Sequence, residues 1–260
     1  MYPDHFLETL SAIDQEKPKS DITPADYGQP RFYWVFKNVD FQQWMSASSA
    51  MLWLSGPPLC GIQQAAVHII NLAKKEATGR HRSVHYFFCS TVARAKSAVT
   101  IFVRALLHQI VSHLPVPNKK TVITVFLFFL LEAVVSRDPA FHSNLWQHTK
   151  NDLIKMLLDV SSDSEHMDAL KAAIETEKEQ ELSFIICGLD KVQNHKKEFS
   201  QKVYALVEYL RERTSNVKVL ITSNLEDEIK VLFKEIPSIE YDKERQGSIE
   251  IRAEPSTRLV

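Results

Sequence analysis

Four short apolar runs punctuate the chain at residues 51–55 (MLWLS), 84–89 (VHYFFC), 182–187 (LSFIIC) and 217–222 (VKVLIT). Each is nearly continuous in apolar content, the pattern of strands covered on both faces rather than of half-solvated ones. Between them lie longer stretches in which apolar residues recur at three and four, as in Val203, Leu206, Val207 and Leu210. That period predicts helices over 63–77, 95–113, 144–160, 165–178 and 197–213. Strands alternating with helices of this length specify an α/β fold, a three-layer parallel sheet flanked by helices on both faces. A short helix is expected over 225–234 and a fifth strand over 248–252 (SIEIR). No repeat of 20–50 residues is visible, which argues against a solenoid.

Residues 1–30 break the pattern. Pro3, Pro18, Pro24 and Pro30 stand among polar residues there, so a partly ordered leader with one short helix near 6–13 is expected, ahead of a single domain over 31–260. The aromatic segment that follows, with Phe41 and Trp44, reads as packing over the first strand. Residues 121–135 (TVITVFLFFLLEAVV) are the most apolar stretch. A spanning helix needs about 20 apolar residues, and Glu132 interrupts this one, so a buried or partner-covered helix is expected and no membrane span. Residues 122–131 leave little polar face for water, which makes them the candidate surface for a protein partner or self-association.

Composition narrows the partners. With 31 basic against 32 acidic side chains and no long like-charge block, nothing resembles an electrostatic footprint for nucleic acid. The N-terminus has no apolar signal region. Three cysteines, Cys60, Cys89 and Cys187, lack paired spacing; an intracellular, cytoplasmic setting without disulfides follows, with the thiols acting as small buried hydrophobes rather than as zinc ligands. The histidines form no HExxH motif and no serine stands in a GxSxG elbow.

In an open parallel sheet, ligands bind beyond the carboxyl ends of the strands. The first strand-to-helix turn is SGPPLCGIQQ, in which Gly56 and Gly61 keep the GxxxxG spacing of a P-loop. In such a loop, backbone N–H groups curl round a phosphate at a helix N-terminus. The next two positions, where Lys and Ser or Thr would reach phosphate and magnesium, are Ile62 and Gln63.

The text around this turn resembles the NACHT domains of fungal STAND-type proteins, including the nephrocystin-3-like group. Their aromatic lead-in is matched by Tyr33, Trp34, Val35, Asn38, Asp40, Phe41 and Trp44. Their loop G-x-P-G-S-G-K-S is matched at Gly56, Pro58 and Gly61, their YFF strand at Tyr86, Phe87 and Phe88, and their L-x-Q helix at Leu106, Leu107, Gln109 and Ile110. The Walker B strand end D-x-L-D-E reads Cys187, Gly188, Leu189, Asp190, Lys191, and the sensor end T-S-R reads Thr222, Ser223, Asn224. The resemblance implies a P-loop NTPase-like scaffold whose vestigial nucleotide site comprises Gly56, Pro58, Cys60, Gly61, Ile62, Gln63, Asp190, Lys191 and Thr222. Scaffold positions match; the chemical positions Ile62, Gln63, Cys187, Lys191 and Asn224 depart, as does Leu59 at a usual loop glycine.

Losing one preorganised contact to a transition state costs roughly 10²–10³ in rate. Several are missing together, so no catalytic residue is assigned and hydrolysis by the usual route is not expected. Pro57 and Pro58 offer no N–H, and Leu59 adds a Cβ where phosphate should approach. No cofactor is expected; ATP or GTP, if either binds, is expected to bind weakly. The leading expectation is a non-catalytic, regulatory pseudo-NTPase that pairs with an active STAND protein. The alternative is a weak ATP or GTP hydrolase in which Asp190 polarises water and Lys191 supplies the charge missing at Ile62.

Overall fold

The computed structural model describes residues 3–10, 14–22, 33–78, 82–92, 95, 97–138, 141, 149–177, 180–213 and 215–241. The four apolar runs form β1 (Ala50–Gly56), β2 (Arg82–Phe88), β3 (Glu181–Cys187) and β4 (Val217–Asn224). With β5 (Ser238–Glu240) they make a five-stranded sheet of order β2-β3-β4-β1-β5, every pair parallel. The expected strand at 248–252 lies outside the described residues. The strand seated on the free side of β1 is instead Ser238–Glu240, too short to show any period.

Side-chain alternation splits the sheet into two cores. On one face Met51 and Trp53 of β1 pack with Phe87, Phe184, Ile186, Val219 and Ile221; on the other Leu52 and Leu54 pack with Tyr86, Phe88, Ile185 and Leu220. The second face is covered by α5 (Ile62–Ala77) and by the short helices α3 (Tyr33–Lys37) and α4 (Val39–Ser46). Asn38 caps α4, its side chain accepting from the N–H groups of Asp40 and Phe41. Trp44 is buried, and its indole donates to the Val219 carbonyl at 3.1 Å. The aromatic lead-in therefore covers the β4-β1-β5 side of the sheet, where a large ring buries much apolar area and its one polar atom finds a carbonyl.

The opposite face carries α6 (Ala98–His113), α7 (Val116–Arg137), α8 (Lys150–Val160), α9 (Asp163–Glu175) and α10 (Lys196–Arg213). A capping box, Ser162 with Glu165, starts α9. Residues 144–148 of the helix expected over 144–160 lie outside the described ones. The apolar stretch 121–135 falls within α7: Val122, Ile123, Phe126, Leu130 and Val134 are buried, while Phe128 is 53% exposed. Among the described residues no helix is long and apolar enough to cross a membrane.

The N-terminal segment holds two helices among its described residues. Helix α1 (Pro3–Leu10) places Phe6 and Leu10 in the main core, with Phe6 edge-on to Phe126 of α7. Helix α2 (Glu16–Ile22) lies against α5, joined by an ion pair from Lys74 to Glu16 at 3.0 Å. Polar composition concealed two apolar residues spaced by four, enough for one helical turn to dock. A last short helix, α11 (Asp227–Leu232), falls inside the range expected for it.

Candidate functional site

The P-loop-like turn joins β1 to α5, where the sheet's carboxyl edge and a helix N-terminus meet. Gly56 is fixed by its surroundings: a Cβ there would fall 2.6 Å from the Tyr241 Cβ and 2.9 Å from the Cys60 sulfur. Its carbonyl accepts from the Leu225 N–H at 2.9 Å. Gly61 begins α5 in the left-handed region at φ 89°, as does Leu59 at φ 67°. The backbone thus keeps at residue 59 the conformation that favours glycine, although the residue is leucine.

Leu59 does not fill the loop concavity. Its side chain points outward and is 89% exposed. Cys60 and Ile62 turn inward instead, both buried, with Ile62 Cδ1 3.2 Å from the Cβ position of Gly56. The left-handed turn at 59 sends that side chain to solvent and the next one beneath the loop. The Cys60 N–H is directed at the Pro57 carbonyl, 3.3 Å away, rather than toward a ligand.

A cleft of about 160 Å³ opens at this turn, lined by residues 57–64 together with Gly188, Asp190, Lys191, Thr222, Ser223 and Asn224. The residues expected to form the site, Pro58, Cys60, Gly61, Ile62, Gln63, Asp190, Lys191 and Thr222, all line it, and Gly56 lies below them against Cys60 and Ile62. Small-molecule sites usually span about 300–1,000 Å³; this one is well under that range.

The polar groups around the cleft bond to one another. Asp190 stands in a single 3-10 turn, Leu189–Lys191, after Gly188 at φ 72°. Its Oδ1 accepts from the Asn224 N–H at 2.8 Å and its Oδ2 lies 2.7 Å from the Lys191 ammonium. Thr222 Oγ1 accepts from the Gly188 N–H at 3.0 Å, tying the ends of β3 and β4 together. A Cβ on Gly188 would meet Lys191 Cγ at 3.1 Å, so the left-handed glycine also seats the lysine. Lys191 therefore neutralises a buried carboxylate, the structural role open to a charge at a strand end.

Cys187, which the resemblance aligns with the first Walker B aspartate, is buried, and burial pushes its thiol well above the usual range. A neutral thiol supplies no anionic oxygen for magnesium. Cys89 is raised too, by burial first and then by Cys187 and Asp190, and Cys60 is raised by burial. All three cysteines are free and buried. Among the described residues no group of three His, Cys, Asp or Glu side chains could hold a metal ion.

A second polar cluster escaped sequence reading. At the outer edge of β2, Gln109 of α6 pairs with both backbone groups of Tyr86, accepting from its N–H at 2.9 Å and donating to its carbonyl at 2.8 Å. Gln15 accepts from the Phe88 N–H at 2.7 Å, and Glu16 accepts from the Tyr86 hydroxyl. The Tyr86 hydroxyl and then Lys74 and Lys19 hold the Glu16 carboxyl, against partial burial, down to about 2. Gln109 belongs to the L-x-Q pattern, but nothing in that pattern says that its amide covers a strand edge.

Residues 31–126 match the family described as Nephrocystin 3, N-terminal. The vegetative incompatibility protein HET-E-1 of Podospora anserina is 30% identical over 115 residues, which are 43% of this chain and 8% of that protein. Among solved structures, a Drosophila ORC complex bound to poly(dA/dT) DNA and Cdc6 aligns with a TM-score of 0.42 at 10% identity, covering 95% of this chain and 34% of that one. The Walker-type ATPase paby2304 of Pyrococcus abyssi aligns with a TM-score of 0.38 at 11% identity, covering 82% and 56%.

Proposed function

We propose that this chain, which carries a NACHT-like P-loop NTPase-type domain, acts as a pseudo-NTPase: a non-hydrolysing interaction module in which the nucleotide site serves as a structural joint. The observation that carries the reading is Asp190. Both of its oxygens are engaged, one by the Asn224 N–H and the other by Lys191. The carboxylate that would order magnesium or water instead ties the turn after β3 to the end of β4. Ile62 and Cys60 pack beneath the loop with Gly56, where a phosphate-reaching lysine would begin. A phosphate that drew Lys191 away would leave the buried Asp190 carboxylate without its partner, and a buried charge that loses its partner costs several kcal/mol.

The partner surface that suits this reading is α7. Phe128 and Phe129 are exposed on a helix whose buried stripe, Val122, Ile123, Phe126, Leu130 and Val134, packs into the core, and adjacent exposed aromatic rings favour burial by a protein partner or by a second copy. Pairing with an active STAND protein is the regulatory form of the same idea.

Calorimetry with Mg-ATP and Mg-GTP on the full chain tests the proposal: no saturable heat is expected up to millimolar nucleotide. Micromolar binding of either would overturn it. The competing reading, weak hydrolysis through Asp190 and Lys191, requires magnesium-dependent phosphate release that disappears in Asp190→Ala. Its difficulty is that the two groups it recruits neutralise each other at 2.7 Å.

A further inference from the structure

We propose that the exposed face of α7 pairs with the same face of a second copy of this chain, antiparallel and about a two-fold axis, with Phe128 near its centre and Lys120 set against Glu132 of the second copy at either end. This rests on the reading of α7 as the partner surface and names the partner; it does not depend on how the P-loop cleft is read.

An α-helix turns once in about 3.6 residues, so burial along α7 separates its faces. Val122, Ile123, Phe126, Leu130 and Val134 make the buried stripe. Phe128 stands about 180° round the helix from the middle of that stripe and is 53% exposed. Lys120, Thr124, Phe128 and Glu132 follow one another at intervals of four, all exposed, and so form one ridge on the outer face. Phe129, 42% exposed, widens that ridge on one flank, its ring edge-on to Phe128 at 6.3 Å. Two exposed aromatic rings in contact make an apolar patch of the kind a partner buries. Among the described residues neither Lys120 nor Glu132 has an ion-pair partner.

Charge selects both the occupant and its direction. The ridge carries a cation at one end, an anion at the other, and a threonine and an aromatic ring between them. The pair Lys120 and Glu132 and the pair Thr124 and Phe128 are both centred on the level of Phe126, so one two-fold axis at that level sets each residue opposite its complement on the second copy. Lys120 meets Glu132, and the Phe128 ring meets Thr124, whose small side chain leaves room for it. Interfaces about a two-fold are built in this way, from one patch that complements itself. A parallel pair would instead set Lys120 against Lys120 and Glu132 against Glu132, and like charges in contact oppose association. Along the helix axis Lys120 and Glu132 lie about 18 Å apart, at a rise of about 1.5 Å per residue. The charges therefore fall at the rim and the rings near the centre, the usual division of an interface. A contact confined to one helix pair is small, and small interfaces are transient, so the dimer forms and dissolves with concentration.

Sedimentation velocity of the full chain, from low to high micromolar concentration, tests this with variants confined to exposed side chains. The wild type should pass from monomer to dimer. Phe128→Ser should weaken association roughly tenfold or more, since it removes the central anchor from both copies. Lys120→Glu alone and Glu132→Lys alone should each weaken it several-fold, because each sets like charges opposite one another at both ends. An equimolar mixture of those two variants should associate as the wild type does, because unlike charges then face each other. A chain that stays monomeric throughout overturns the second copy as the occupant. Association lost with Phe128→Ser but untouched by either charge reversal overturns the antiparallel pairing while leaving α7 the partner surface. Association indifferent to all these variants overturns both, and nucleotide calorimetry decides the pseudo-NTPase reading separately.

Discussion

Leu59 holds a backbone conformation that favours glycine. A leucine held at φ 67° pays roughly 1–2 kcal/mol relative to glycine in the left-handed region, and its outward side chain recovers little by burial. Leu59→Gly should therefore stabilise the protein by about 0.5–1 kcal/mol once the greater freedom of the unfolded glycine chain is subtracted. The midpoint of urea unfolding should rise with an unchanged slope. His85 makes a second residue-scale case. It is fully buried, its Nε2 lies 2.7 Å from the Ser83 hydroxyl, and burial, then His113 and Lys74, hold its pKa down to about 3. A base whose folded pKa is depressed leaves the unfolded state binding the proton first. Stability from this site is complete above pH 6.5, the ordinary value, and declines as pH falls from there toward 3. His85→Gln should flatten that part of a stability-against-pH curve, read by thermal unfolding.

At the scale of elements, β2 is the informative one. An exposed edge strand invites pairing with other chains, and here the upper part of that edge is sealed by Gln109, Gln15 and the Glu16–Tyr86 contact. Gln109→Ala leaves the N–H and carbonyl of Tyr86 without partners, which should cost about 2 kcal/mol. Exchange of the Tyr86 amide should accelerate beyond what the global loss explains. The Glu16 contact has its own pH signature. Its folded pKa of about 2 lies below the ordinary 4.5, so its contribution is complete above 4.5 and is lost as pH falls toward 2. Glu16 is largely exposed on its side chain, so the effect is small and local. Loosening of α2 followed by exchange, with Glu16→Gln loose at every pH, would display it.

On the scale of the whole molecule, the N-terminal segment belongs to the main core. Phe6 has no exposed surface and meets Phe126, which lies on the buried stripe of α7. Phe6→Ala should cost about 3–5 kcal/mol, the range for deleting a buried ring, whereas a loose leader would predict almost none. Chemical denaturation distinguishes the two directly. The same packing explains α7. A helix apolar nearly all round is normally buried; here α1, α8 and α9 pack against it, and Phe128 and Phe129 are left outside.

Much of this arrangement was legible in residue order alone. Continuous apolar runs marked the four long strands within two residues at either end, because a strand covered on both faces has no polar position to blur its limits. Helical periods located α5, α6, α9 and α10 for the complementary reason, a single buried stripe. The residues that line the cleft could be collected too, since the turn after each parallel strand opens on the same edge of the sheet. What residue order could not supply was direction and partnership. Leu59 and Cys60 are neighbours, yet one points to solvent and the other under the loop, a matter of backbone handedness at a single φ. Asp190 and Lys191 read as a surviving carboxylate and a spare cation; only their closure at 2.7 Å made them a neutral pair. Three residues at Ser238–Glu240 carried no period but completed the sheet beside β1. Gln15 and Gln109, remote in sequence, met along one strand edge because folding brought an N-terminal turn and α6 to the same unpaired backbone. Local periodicity and turn chemistry act over a few residues and are written in the chain; side-chain direction and hydrogen-bond partnership are settled by neighbours that only the fold brings together.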